Sequence, residues 1–551
     1  MALPDTRLSL LAVAIGMLSA AAVSAQHVLL PFSQHRDVAL SAHASERGAL
    51  RGPDGYAYVI DAAVGTPPQN LSLLISTTTS HTWVPDANTR ECSPRWYYHK
   101  YYHDDYYYYD DDDEDDDYDD SDSRCRWGSF NASLSSTYLP PNTRYENFRA
   151  SYPDPSYVTG RNMTDRLAFA GVELDDYPMG LVSSADRWLG VLGLGLNSSL
   201  AYSTAPYLSG LYDNVMDRMV SSGKIASPAY SIWLDDARAS SGSLLFGAVD
   251  RSRYSGDLVR LSTSYHSYAW KYGYSVTLNA ISGTSPSGAP MPAIRTNAFP
   301  LSVILGHGEV FSYLPGSLAD HMAAMVGATY NKSLEYFTIP CDAGERNNSR
   351  FAFELGSDGG PKLNVETADL VQPSVVYTDL VPDGSPLESG TCFFAIQKYG
   401  NDQSLHNPSI YLHTLGGSIL RRTYVVYDLA NHEIAVAPVK FPSGGSTPTP
   451  EIKAFATYGA YTPGASKFCT SRSCRSSSGG SGSDDGEGFD RWKKIAIAVG
   501  ISFGAVVLVG AVTGIILCRR AGRGHRAAAK EAGGASLAGS TMPAWPTRGV
   551  R

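Results

Sequence analysis

Nowhere does this chain gather lysine and arginine with interleaved aromatics into a basic patch, so nucleic acid is not an expected partner. Helical periodicity is scarce too. Apolar residues at three- and four-residue spacing occur only in short runs around "LYDNVMDRMVSSG" and "LADHMAAMVG", which excludes an all-helical body. His81, His307 and Glu309 offer ligand atoms but at no regular ligand spacing, so neither a metal nor a cofactor is expected. Charge is also unevenly missing. The formal net charge is -10, yet residues 101–122 hold thirteen acids and no Lys or Arg, and the rest is near neutral.

Where charge is absent altogether, the reason is legible. "IAIAVGISFGAVVLVGAVTGIILC", 495–518, has 24 residues without a charge, the length of a single transmembrane helix. Arg519, Arg520, Arg523 and Arg526 follow, so 519–551 reads as a basic cytosolic tail. That polar tail argues against a lipid-anchor signal, in which the apolar segment ends the chain. At the other end, 1–25 has Arg7, a short apolar run, and Val23 and Ala25 placed for cleavage, the pattern of a signal peptide. These ends predict a single-pass type I protein of the plasma membrane and cell surface, or of a vacuolar-endosomal membrane. The ectodomain would be extracellular or lumenal. Six of the seven cysteines lie there, where disulfides persist. Sequons at Asn70, Asn131, Asn162, Asn197, Asn331 and Asn347 fit a glycoprotein of that route.

From Tyr56 to about Pro438, short runs of Val, Ile, Leu, Tyr and Phe alternate with Gly, Pro, Asn and Asp turns, which predicts an all-β body. Its two halves repeat an order of parts. "YVIDAAVGTPPQN" and "LLISTTTSHTWVP" (73–85) lead to "WLGVLGLGLN" (188–197), with Val191, Leu192 and Gly193. "LSVILGHGEVFSYLP" (301–315) leads to "LGGSILRRTYVVYDLANHEIAVAP" (415–438), and "AYSIWLDDARASSGSLLFGAVDRSRYSG" (229–256) lies between. On these motifs, over roughly 380 residues, the chain resembles the pepsin-like aspartic proteases of the fungal, membrane-anchored type. The resemblance implies a bilobal acid-protease fold, with lobes at 56–228 and 229–440 and a candidate propeptide remnant at 26–55. A Tyr/Asp-rich insertion at 97–122 enlarges the first lobe between Cys92 and Cys125 and is expected to be a solvated, self-repelling loop. Residues 441–492, rich in Ser, Gly, Thr and Pro, read as a stalk. Expected disulfides are Cys92 to Cys125, Cys341 to Cys392, which matches the family's C-terminal lobe, and Cys469 to Cys474.

Against that family the largest absence is chemical. Aspartic proteolysis needs two carboxylates that share a proton. The family pattern places them where this chain has Ser76 and Gly306, bracketed by Pro67, Trp83 and Pro85 and by Leu314 and Pro315. Asp61 and Asp86 lie too far along the strands to replace the first, and Glu309, three residues past the second, is expected to point elsewhere. The flap pattern matches "YPDPS": Tyr152 persists while Pro153 and Pro155 replace glycines, removing a backbone donor. The remaining cleft residues are Thr77, Trp83, Tyr152 and His307, with an aromatic wall from Trp83 and Tyr152.

The expected function is a monomeric membrane pseudoprotease that binds a peptide or protein without cutting it. One alternative is an unconventional endopeptidase, for instance with Ser76 paired to His307. Another is a surface structural or adhesive glycoprotein with a vestigial cleft.

Overall fold

The computed structural model describes residues 27–34, 58–92, 124–125, 127–140, 147–152, 156–196, 214–235, 241–263, 274–294, 299–373, 387–399, 413–442 and 448–469. The expected signal, the 97–122 insertion, Pro153 and Pro155, Asn197, Cys474, the 495–518 span and the basic tail lie outside them. Among the described residues no helix is long and apolar enough to cross a membrane.

Strands dominate, as the alternating runs predict. The segment expected as a candidate propeptide remnant contributes β1 (Val28–Gln34), and the first lobe contributes β2 (Tyr58–Val64), β3 (Gln69–Ser76), β4 (Trp83–Pro85), β5 (Asn147–Ser151), β6 (Tyr157–Phe169), β7 (Val172–Ala185) and β8 (Val191–Gly193). Between the lobes run β9 (Ala229–Leu234), β10 (Ser241–Phe246), β11 (Ala248–Asp250) and β12 (Leu258–Ser262). The second lobe adds β13 (Ser275–Thr284), β14 (Pro290–Ile294), β15 (Leu301–Gly306), β16 (Ser312–Leu314), β17 (Thr329–Asn331), β18 (Tyr336–Pro340), β19 (Arg350–Leu355) and β20 (Lys362–Glu366). It is completed by β21 (Val371–Gln372), β22 (Thr391–Phe394), β23 (Ile396–Lys398) and β24 (His413–Gly416). The chain then returns between the lobes as β25 (Thr423–Asp428) and β26 (Glu433–Pro438), followed by β27 (Ile452–Ala454) and β28 (Ala465–Lys467).

One sheet of 14 strands carries the first lobe and the interlobe floor in the order β28-β12-β26-β25-β9-β10-β1-β2-β3-β8-β4-β7-β6-β5. The core of the second lobe is a separate 8-stranded sheet, in which β13, β15, β24 and β16 are neighbours. Surface strands alternate: in β19, Phe351, Phe353 and Leu355 point inward and the residues between them outward. Floor strands do not, because both faces are covered. Every residue of β9 and β25 is buried, the composition expected of a strand packed on two sides. The two short helical runs appear as Val215–Ser221 and Gly316–Val326. The latter buries Leu318, Ala319, Met322, Ala323 and Val326, one face at three- and four-residue spacing.

Disulfides join Cys92 to Cys125 and Cys341 to Cys392. Asn70 is exposed, and Asn131, Asn162, Asn331 and Asn347 are half-buried.

The expected stalk needs correction. Composition places its start at 441, yet 448–469 folds back along the underside of the floor. β27 pairs antiparallel with β11, and β28 pairs parallel with β12. Between them Phe455 is fully buried with Trp233, Leu245, Tyr254, Tyr424 and Val426. Asn431 Nδ2 donates to Ala460 O at 3.1 Å, tying the strap to the turn after β25. A single large apolar side chain with a socket outweighs a polar composition, since burying it is worth about 1.5–3 kcal/mol.

Phe455→Ala should therefore lower the unfolding free energy by about 3–5 kcal/mol, read as a lower thermal midpoint. An unchanged midpoint would return 441–469 to the stalk.

Candidate active-site cleft

Both lobes build the cleft the same way. β3 runs to Ser76 beside the parallel strand β8, with Ser76 opposite Gly193. β15 runs to Gly306 beside the parallel strand β24, with Gly306 opposite Gly416. After a loop the chain returns as β4 in one lobe, antiparallel to β8, and as β16 in the other, antiparallel to β24. Ser76 and Gly306 thus end matching strands, in the two places where the resemblance locates the catalytic carboxylates.

The loops meet closely. A Cβ on Gly308 would lie 2.5 Å from Ile75 O and 3.0 Å from Ser76 Cα, so only glycine lets the backbones touch. Beneath that contact Thr77 crosses between lobes: its Oγ1 donates to Leu305 O at 2.9 Å and accepts from the His307 N–H at 3.1 Å. Tyr427, on β25 of the floor, donates its hydroxyl to Leu305 O at 2.7 Å. Having spent its single proton there, it accepts from His307 Nδ1 at 3.1 Å, which assigns the Nδ1–H tautomer. Burial pushes the His307 imidazole down to about 3 and raises the Tyr427 phenol above its usual range, so both remain neutral at ordinary pH.

His307 therefore faces the floor and not Ser76. The Ser76–His307 nucleophile pair does not form, and His307 supports the cleft from the side of the floor. Trp83 and Tyr152 meet directly. The Trp83 Nε1–H donates to Tyr152 Oη at 2.6 Å, and Trp83 is buried among Leu74, Phe148 and Val191. These rings hold each other at the turn end of the β5–β6 hairpin, the place where an aromatic wall was expected. Asp61 and Asp86 engage Ser72 and Asn88 locally, away from Ser76. Among the described residues no three His, Cys, Asp or Glu side chains converge as a metal site.

On the upper side of the loops, Ser76 Oγ lies 3.0 Å from Thr78 Oγ1, which donates to Glu309 Oε1 at 3.3 Å. Contrary to expectation, Glu309 reaches the cleft floor and is buried there. A Cβ added to Gly306 would lie 2.9 Å from Thr414 Cγ2, 2.9 Å from Thr78 Cγ2 and 3.1 Å from Glu309 Cγ. The room for a side chain at 306 is taken. Tyr427 had no signal beyond its place in a strand. Glu309 was visible in the sequence but was judged by its distance along the chain, which a tight turn cancels.

Residues 57–439 match the family model described as eukaryotic aspartyl protease. The chain is 28% identical over 434 residues to aspartic proteinase yapsin-3 of Saccharomyces cerevisiae, covering 76% of this chain and 74% of that protein. It is 30% identical over 421 residues to the probable aspartic-type endopeptidase OPSB of Arthroderma benhamiae, covering 74% of each. Among solved structures, aspartic proteinase from Irpex lacteus is similar with a TM-score of 0.50 at 18% identity, covering 76% of this chain and all of that one, a likeness of fold.

Because position 306 is crowded, the double variant Ser76→Asp/Gly306→Asp should lose about 1–3 kcal/mol of stability and should not hydrolyse peptides at a relative's rate. Thermal unfolding and an acid-pH peptide assay check both. Rapid hydrolysis by a fully stable variant would show that the space at 306 is no obstacle.

Proposed function

For a chain that belongs to the eukaryotic aspartyl protease family, we propose a membrane-anchored pseudoprotease: a type I glycoprotein whose ectodomain holds an extended peptide or protein segment in its cleft without cutting it. One observation carries this. The two strand ends that should present paired carboxylates end in a buried hydroxyl, Ser76, and in Gly306, where added side-chain atoms would collide with their neighbours. Without two acids that share a proton, nothing both deprotonates a water and protonates the scissile carbonyl.

Retention of the scaffold supports binding over a merely vestigial cleft. The interlobe bonds of Thr77, the Trp83–Tyr152 bond at the turn end of the flap hairpin and the close approach at Gly308 are in place. The 495–518 segment supplies the anchor, and the route through the secretory membrane accounts for the sequons and disulfides.

The test is retention of a diverse peptide library by the immobilised protein at acid and neutral pH. Selective retention that a bulky substitution at Gly308 abolishes is expected. No retention of any peptide, with the protein folded, would leave the adhesive alternative standing.

A further inference from the structure

The loop that lost one carboxylate supplies another. Glu309 is 4% exposed, and its backbone is fixed at both ends: its N–H donates to Gly306 O at 3.3 Å, and its carbonyl accepts from the Gly417 N–H at 2.6 Å. The turn folds its side chain back beside residue 306, with Cγ 3.1 Å from where a Cβ would be. The carboxylate beyond accepts from Thr78, and Thr78 is bonded to Ser76. Two hydroxyls thus lead in a row from position 76 to this acid.

We propose that Glu309 has taken the place in the cleft floor of the carboxylate missing from position 306, leaving a one-carboxylate site that Ser76→Asp alone would turn into an interacting acid pair. This rests on the cleft described under the proposed function. In the natural chain the Ser76 hydroxyl does not titrate, so Glu309 serves as an acceptor for an N–H donor of the bound peptide. With a second carboxylate the full step balances. One carboxylate takes a proton from water as its oxygen bonds to the peptide carbonyl carbon, and the other, protonated, gives its proton to the carbonyl oxygen. On collapse the C–N bond breaks, the first carboxylate passes water's proton to the leaving nitrogen and the diol hydroxyl returns its proton to the second carboxylate, so that one water is consumed overall.

The titratable neighbours are few. His307 and Tyr427 lie between the loops and the floor, His81 lies beyond Thr79, His413 begins β24, and Tyr58 lies beside Gly417. Burial pushes all three imidazoles below their usual range, so none gains charge between about pH 5 and 8.

The test is a double-mutant cycle on the full chain with Ser76→Asp, Glu309→Gln and both, followed by thermal unfolding at about pH 4 and pH 7. At neutral pH two carboxylates should repel, so Ser76→Asp lowers the midpoint and Glu309→Gln returns most of the loss. At acid pH, where the pair shares a proton, the repulsion should vanish. Peptide hydrolysis by Ser76→Asp should exceed that of the double variant at least about tenfold. Additive effects at both pH values would overturn the proposal.

Should Ser76→Asp fail to fold, Gly306→Ala is set against Glu309→Ala: trimming Glu309 should return part of the cost of the added methyl, and strict additivity would again overturn the proposal. Hydrolysis by the natural chain that Glu309→Gln abolishes would sink the pseudoprotease function while supporting the placement of Glu309.

Discussion

Everything at the cleft depends on the hydrogen bonds exchanged between two loops from different lobes. Thr77 of the first lobe holds the backbone of the second at Leu305 and His307, while Tyr427 of the floor holds the same carbonyl from below. Each such bond contributes about 1 kcal/mol net, but a buried carbonyl or N–H left unmade costs more. The network therefore fixes geometry more than it adds stability. It is one-sided: from the second lobe, His307 reaches down to Tyr427 where Thr77 reaches across. The floor sheet has become a partner in holding the lobes together.

That dependence explains why the floor is closed so thoroughly. β1 lies between β10 and β2, so a strand from the start of the described chain joins the interlobe strands to the first lobe. Residues 448–469, from its other end, cover the opposite face with Phe455. Tyr230 stacks on Tyr427 at 4.9 Å, and Trp233 on Tyr424 at 5.5 Å, so adjacent floor strands are locked by rings on both faces.

How much of this was legible follows from what sequence patterns encode. Two repeated strand-loop-strand frames, with Trp83, Pro85, Leu314 and Pro315 as landmarks, put Ser76 and Gly306 at equivalent places in the sequence, and they do end matching strands. Alternation gave the surface strands, and three- and four-residue spacing gave the helix at Gly316–Val326. Direction was harder. Neither His307 turning to the floor nor Glu309 turning into the cleft is a property of residue type, because each is set by a tight loop packed against another loop. Composition misled at the strap, where Phe455 is one apolar residue in a polar stretch and only its socket reveals its role.

The central claim is that an intact aspartic-protease cleft has no acid pair and therefore does not cut. Its most direct test is to incubate the purified full chain with a denatured protein from about pH 3 to 7 and search for new peptide ends by mass spectrometry. The account predicts no fragments above those formed by a heat-inactivated control. Sequence-selective fragments that appear at acid pH, and vanish with Glu309→Gln, would contradict it.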